Sequence, residues 1–208
     1  MPTQIDIVLY EGFDELDAIG PFEVFGAAAD YGADLSTRLV TLEATETVTA
    51  SHGLRVEPDG VLADPEDGEA DLPDLLVIPG GGWNNRSEAG AWAEAQKGAV
   101  PAAAGAYHDA GVTVASVCTG GMLLAAAGLT DGRHATTHDG ALDDLRASGA
   151  DAVDARVVDD GDILTAGGVT SGLDLALYLV EREASSEIAD RVAKELEYER
   201  RYDVFRSE

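Results

Sequence analysis

Short apolar runs alternate along the chain with segments whose apolar residues recur at helical spacing. Ile5-Asp-Ile-Val-Leu-Tyr10, Arg38-Leu-Val-Thr-Leu42, Leu75-Leu-Val-Ile78 and Val112-Thr-Val-Ala-Ser-Val117 are rich in aliphatic and β-branched residues and predict buried strands. Helices are predicted over residues 21–29, closed at Tyr31-Gly32, and over 88–109, which Pro101 breaks or restarts. Pro21 suits a first helical turn, where its missing N–H costs nothing, so Asp17 is expected on the preceding loop. A short helix from Met122 towards Gly128, one over 139–148, one over 173–183 capped by Thr170-Ser171, and a last over 186–200 complete the helical set. Residues 47–56, turning at Ser51-His52-Gly53, predict a hairpin, as do 155–158 and 163–166 across Asp159-Asp160-Gly161. Residues 64–74, with Pro65, Gly68 and Pro73, predict an acidic surface connection.

Strands alternating with helices call for an α/β fold: a doubly wound, mostly parallel sheet with helices on both faces. At 208 residues, with 45% hydrophobic content, a single domain over 1–208 is expected. No apolar run reaches the roughly 20 residues that span a bilayer, and the N-terminus lacks the basic and apolar regions of an export signal. A cytoplasmic location is therefore expected. The single cysteine excludes an internal disulfide.

Charge changes the picture of the surface. There are 40 acidic and 13 basic residues, a formal net charge of −27, and Lys97 and Lys194 are the only lysines. The acids fall between the apolar runs, which describes a solvated shell around a packed core and not a disordered chain. Such self-repulsion is tolerable where salt shortens the Debye length to about 3 Å at 1 M, so a salt-adapted cytoplasm is expected. A chain without a basic patch is not expected to bind nucleic acid.

The candidate chemistry lies where strands end. The Val112 strand runs into Cys118-Thr119-Gly120-Gly121 and then a helix, which places the thiol at a tight turn beside backbone N–H groups that favour a thiolate. Pro79-Gly80-Gly81-Gly82-Trp83 follows the Leu75 strand and can form an anion nest, while Asp17 follows the first strand. Ligands in parallel sheets bind beyond the carboxyl ends of strands, so these three turns are expected to converge. His134 and His138 are four apart, but without further thiols or a helical carboxylate pattern no metal or cofactor is expected.

Five ordered motifs carry a resemblance that covers nearly the whole chain. Asp17-Ala-Ile-Gly-Pro21-Phe-Glu-Val, Pro79-Gly-Gly-Gly, Ala115-Ser-Val-Cys118-Thr119-Gly-Gly, Ala135-Thr-Thr-His138 and Ala166-Gly-Gly-Val-Thr-Ser-Gly-Leu-Asp174 resemble the DJ-1/PfpI superfamily, which is class I glutamine amidotransferase-like. The resemblance implies a flavodoxin-like fold, a cysteine nucleophile and a homodimer. Protease- and deglycase-like members usually carry His after the cysteine and Glu in the first loop, where this chain has Thr119 and Asp17. That combination is similar to the isonitrile hydratase subgroup and to the sensor halves of AraC-type regulators. With the chain stopping soon after its last core helix, no DNA-binding half is expected. Asp139 stands where many relatives carry Trp, so the wall beside His138 is expected to differ.

The resemblance implies that Cys118 adds to the isonitrile carbon, that a protonated Asp17 serves as general acid, and that Thr119 positions water or the small-molecule substrate. Gly81, Gly82 and Gly120, with the Thr119 N–H, would orient polar atoms. Trp83 and His138 would line the pocket or support it from behind. Two alternatives stand beside this: glyoxalase-III or deglycase-type handling of reactive carbonyls, and a non-enzymatic redox or ligand-sensing module.

Overall fold

The computed structural model describes residues 2–67, 70–201 and 204–207; Gly68 of the acidic connection lies outside them. The chain folds in the order β1 (Thr3–Val8), α1 (Glu15–Asp30), β2 (Leu35–Thr41), β3 (Val48–Thr49), β4 (Arg55–Val56), β5 (Gly60–Val61) and β6 (Leu75–Ile78). It continues with α2 (Ala91–Lys97), α3 (Ala99–Asp109), β7 (Thr113–Ser116), α4 (Gly120–Ala126), β8 (His134–Ala135), α5 (Leu142–Ala147) and β9 (Asp151–Ala152). The last elements are β10 (Val157–Asp159), β11 (Ile163–Ala166), α6 (Ser171–Glu183), α7 (Ser186–Glu195) and β12 (Val204–Arg206).

One eight-stranded sheet has the order β12-β10-β11-β7-β6-β1-β2-β5. Every pairing in it is parallel except β10 with β11, which form the expected hairpin. Helices α1, α6 and α7 pack together as one layer, and α2, α3 and α4 as another. The central strands read as continuous apolar runs because both faces are covered. Ile7, Leu76, Val77, Val114 and Leu164 are fully buried or nearly so. Each such side chain contributes about 1.5–3 kcal/mol relative to exposure. Register sets the working end: Ile7 pairs with Val77, Val77 with Ala115, and Ile78 with Ser116. The segments leaving β1, β6 and β7 therefore start side by side.

Several boundaries differ from the sequence expectation. Helix α1 begins at Glu15, because Asp14 caps it by accepting the Leu16 N–H at 3.2 Å. Asp17 thus stands in the first helical turn, and Pro21 lies inside the helix. The long helix over 88–109 divides at Gly98, whose φ of 80° reverses the chain, and Pro101 sits harmlessly in the first turn of α3. Thr170 does not cap α6 through its side chain; its hydroxyl accepts from Arg156 instead. The helix expected over 139–148 opens with a 3-10 turn at Asp139–Ala141. Helix α7 stops at Glu195, earlier than expected, and the chain then adds the unforeseen strand β12. Among the described residues, no helix is long and apolar enough to cross a membrane.

Candidate active site

The three turns do converge. Cys118 follows β7 with φ of 54°, a left-handed conformation that a non-glycine residue adopts only under constraint. Its N–H is shared between the Ala166 and Gly167 carbonyls at 3.1 and 3.0 Å, and Thr137 donates its hydroxyl to the Cys118 carbonyl at 2.9 Å. These bonds fix the strained residue from both sides. The thiol is only 4% exposed.

Two glycines let the Pro79 turn and the Cys118 turn touch. A Cβ on Gly120 would lie 2.2 Å from the Ile78 carbonyl oxygen, and one on Gly80 would lie 2.5 Å from the Thr119 nitrogen. Contacts that short are forbidden to any larger residue. Across this seam the Gly81 N–H donates to the Thr119 hydroxyl at 2.9 Å, and the Gly80 N–H donates to Asp17 Oδ2 at 3.0 Å.

Asp17 is fully buried, and its Oδ1 has no hydrogen-bond partner among the described residues. Burial raises its pKa well above the ordinary carboxylate value, the charge of Asp14 adds to the rise, and the Gly80 N–H and the Cys118 thiol oppose it. Cys118 is pushed up too, by burial first and by Asp17 second. The Thr119 and Val169 N–H groups, directed at the sulfur, hold it down in part. Desolvation therefore outweighs the turn's amide field, contrary to the simple expectation of a thiolate favoured by position alone. Either group ionises more easily when the other is neutral, so the two titrate as a coupled pair.

Tyr10, buried at the end of β1, donates its hydroxyl to the Pro79 carbonyl at 2.5 Å and supports the turn from behind. Its pKa is raised by burial and then by Asp17 and Cys118, which marks how near the pair it lies. Tyr10, Asp14, Thr137 and the Val169 N–H are members of the site that the residue pattern did not reveal. The available signals were the position of Tyr10 at a strand's carboxyl end and the placement of Thr137 and Val169 within two of the ordered motifs.

The other expected residues take different places. The Gly120 N–H is spent on the Val117 carbonyl and the Gly81 N–H on Thr119, so neither is open to a ligand. Among the described residues nothing accepts from the Gly82 N–H, and Gly82 lines a cleft of about 450 Å³ with Asp14, Ser51 and His52. Trp83 turns away: its indole N–H donates to Asp144 at 2.8 Å, and its ring meets Trp92 edge-on at 5.1 Å. His138 accepts the Gly140 N–H at Nδ1 and faces Asn84 at 3.2 Å. On the far side of Cys118, Thr137, Gly167 and Asp139 line a polar cavity of about 560 Å³.

Three carboxylate or imidazole groups, Asp14, Glu15 and His52, have possible ligand atoms within 4.8 Å of one another. Glu15 is already occupied by His52 at 2.7 Å, Ser51 at 3.0 Å and the His52 N–H at 2.7 Å. His134 sits apart from His138, between Asp151 and Asp160.

Comparison with known proteins places the chain. The family model described as DJ-1/PfpI family matches residues 3–182. An isonitrile hydratase of Pseudomonas putida is 34% identical over 198 residues, covering 95% of this chain and 79% of that protein. A deglycase of Pyrococcus horikoshii is 34% identical over 139 residues, 66% of this chain and 74% of the relative. The crystal structure of a ThiJ/PfpI family protein from Pseudomonas syringae superposes with a TM-score of 0.81 at 29% identity, over 97% of this chain and 77% of the other. With a family match over most of its length and the strand-end cysteine in place, the chain belongs to the DJ-1/PfpI family.

Proposed function

We propose that this protein is a cysteine-dependent hydro-lyase that adds water to an isonitrile and releases an N-substituted formamide. The observation that carries the reading is the coupled Asp17–Cys118 pair: a fully buried carboxyl with one unpartnered oxygen beside the thiol, followed by Thr119 and not by a base. A neutral carboxylic acid in a dry site is suited to give a proton to carbon. The similarity to an isonitrile hydratase over 95% of the chain supplies the substrate class.

In the reactive state Asp17 keeps the proton and the charge rests on Cys118 sulfur, facing the Thr119 and Val169 N–H groups. The thiolate attacks the terminal carbon of R–N≡C while Asp17 protonates that same carbon. A C–S and a C–H bond form, giving the thioimidate R–N=CH–S–Cys118 and an ionised Asp17. Water adds to the carbon, its proton passing through Asp17 to nitrogen. Collapse of the adduct breaks the C–S bond and returns the hydroxyl proton to Asp17, so R–NH–CHO leaves and the pair is restored. Thr119 acts through the Gly81 turn it holds.

Turnover of para-nitrophenyl isocyanide, followed as formamide, tests the reading, with methylglyoxal assayed alongside. Wild type should turn over the isonitrile and Cys118→Ala should not. Lactate from methylglyoxal without isonitrile turnover would transfer the protein to carbonyl chemistry, and thiol oxidation with neither turnover would make it a sensor. We also propose a homodimer, supported by the exposed Leu16 on α1 and Leu54 in the β3–β4 turn, whose N–H reaches the Glu15 carboxylate, to be checked by light scattering.

A further inference from the structure

Tyr10 separates the Cys118 site from a second cavity that the proposed reaction does not use. This cavity, about 610 Å³, opens beyond the carboxyl ends of β1 and β2 against α2 and α3. Its volume falls in the roughly 300–1,000 Å³ range of small-molecule sites. Leu42, Val48, Leu62, Val100 and Tyr107 make its walls largely apolar. One charged group interrupts them from a buried position: Glu94, whose side chain is 8% exposed.

Acidic residues are common on this chain, so an exposed one says little. Glu94 differs because it is buried and because its partner is loosely held. Asp6 is gripped by both arms of Arg38, and Asp174 by Arg156, Tyr198 and the Arg201 N–H. Glu94 has Lys97, one turn along α2 at 2.8 Å, with its side chain 58% exposed at the cavity's edge. A lysine so solvated on a flexible stem is readily exchanged for another ammonium. Glu11, Glu43 and Asp64 add negative charge to the lining, against which Lys97 is the only cation among the described residues.

We propose that this cavity binds a small organic ammonium, a primary amine on an aliphatic or aromatic body. The body lies against Leu42, Val100 and Tyr107, and the ammonium replaces Lys97 on Glu94. An anion would face four carboxylates, and a neutral apolar molecule would gain the walls alone. The inference stands on the cavity and is independent of the reaction at Cys118.

The test titrates n-hexylammonium and 1-hexanol into the wild-type protein, Glu94→Gln and Lys97→Ala at one fixed high salt concentration, read by methyl and amide NMR shifts. The ammonium should bind at least about tenfold more tightly than the alcohol, with shifts at Leu42, Val100 and Tyr107. Glu94→Gln should erase that preference and leave hexanol unchanged, whereas Lys97→Ala should tighten the ammonium severalfold by removing its competitor. Equal affinities for the two ligands, or shifts centred on Cys118, would overturn the assignment. Should Glu94→Gln fail to fold, Lys97→Ala still decides, because ammonium binding that is unchanged or weaker there contradicts the exchange.

Discussion

The Thr119 hydroxyl accepts the Gly81 N–H at 2.9 Å, joining turns that lie 38 residues apart in the chain. Thr119 therefore serves the site as a strut, holding the turn whose neighbouring Gly80 N–H anchors Asp17. Thr119→Val leaves the Gly81 N–H buried without an acceptor, a loss of about 1–3 kcal/mol. We expect reduced thermal stability and a fall in kcat larger than the change in KM, with Thr119→Ser restoring most of both. Full activity in the valine variant would show that the strut is dispensable.

The raised pKa of Asp17 has a signed consequence for stability. The folded protein keeps this proton at pH values where the unfolded chain, titrating near about 3.9, has lost it. Unfolding then releases a proton, so this contribution is fully present below the unfolded value and fades as pH rises through the folded one. Thermal melts taken upward from about pH 4 should show a shallower decline for Asp17→Asn than for wild type. Parallel declines would mean that Asp17 is ionised in the folded state, and the general-acid role would go with it.

Gly120 and Gly26 make a matched pair. An added Cβ at Gly120 collides with the Ile78 carbonyl oxygen at 2.2 Å, while at Gly26, exposed within α1, it meets nothing within 4 Å. Gly120→Ala should separate the β6 and β7 turns, lowering the melting temperature and abolishing turnover. Gly26→Ala should instead stabilise by about 0.4–1 kcal/mol through the unfolded chain's lost freedom. Chemical denaturation of the two variants measures both signs.

Arg38 holds Asp6 with bonds of 2.9 and 2.7 Å, and Asp6 is fully buried. Removing the guanidinium leaves a buried carboxylate without its cation, so Arg38→Met should cost about 3–5 kcal/mol. Asp6→Asn with Arg38→Met should recover part of that loss. If the double variant is as unstable as the sum of the single ones, the pair is not the source of the effect.

Salt should act on the whole molecule. With a net charge of −27, the folded state concentrates repulsion that the unfolded chain spreads out. Raising KCl from about 0.1 M to about 1 M shortens the Debye length from about 10 Å to about 3 Å and should raise the melting temperature. A flat or falling dependence would contradict the reading of the acidic shell as salt-adapted.

The parallel sheet was legible because β1, β6 and β7 are short apolar runs, a pattern that only coverage on both faces permits. Convergence of Asp17, the Gly80 turn and Cys118 followed from their places at strand ends. The start of α1 was misplaced because Pro21 is a louder local signal than the single cap at Asp14. The role of Thr119 could not be read, since its partner lies on another strand's turn. Nor could the use of the Gly81 and Gly120 N–H groups, which depends on which carbonyl or hydroxyl arrives opposite each one. β12 escaped notice because three residues beyond a helix carry no periodicity.

That last strand leaves its mark on solubility. β12 pairs in parallel with β10, with Val157 opposite Val204 and Asp159 opposite Arg206, and as the outermost strand it keeps the buried Val157 and Val158 of β10 off the margin of the sheet. An uncovered strand margin is a template onto which a neighbouring molecule can add its own strand. Removal of β12 should therefore yield a chain that keeps its core and self-associates through the bared Val157–Asp159 strand, making this short strand a guard against aggregation for a protein otherwise kept apart by charge.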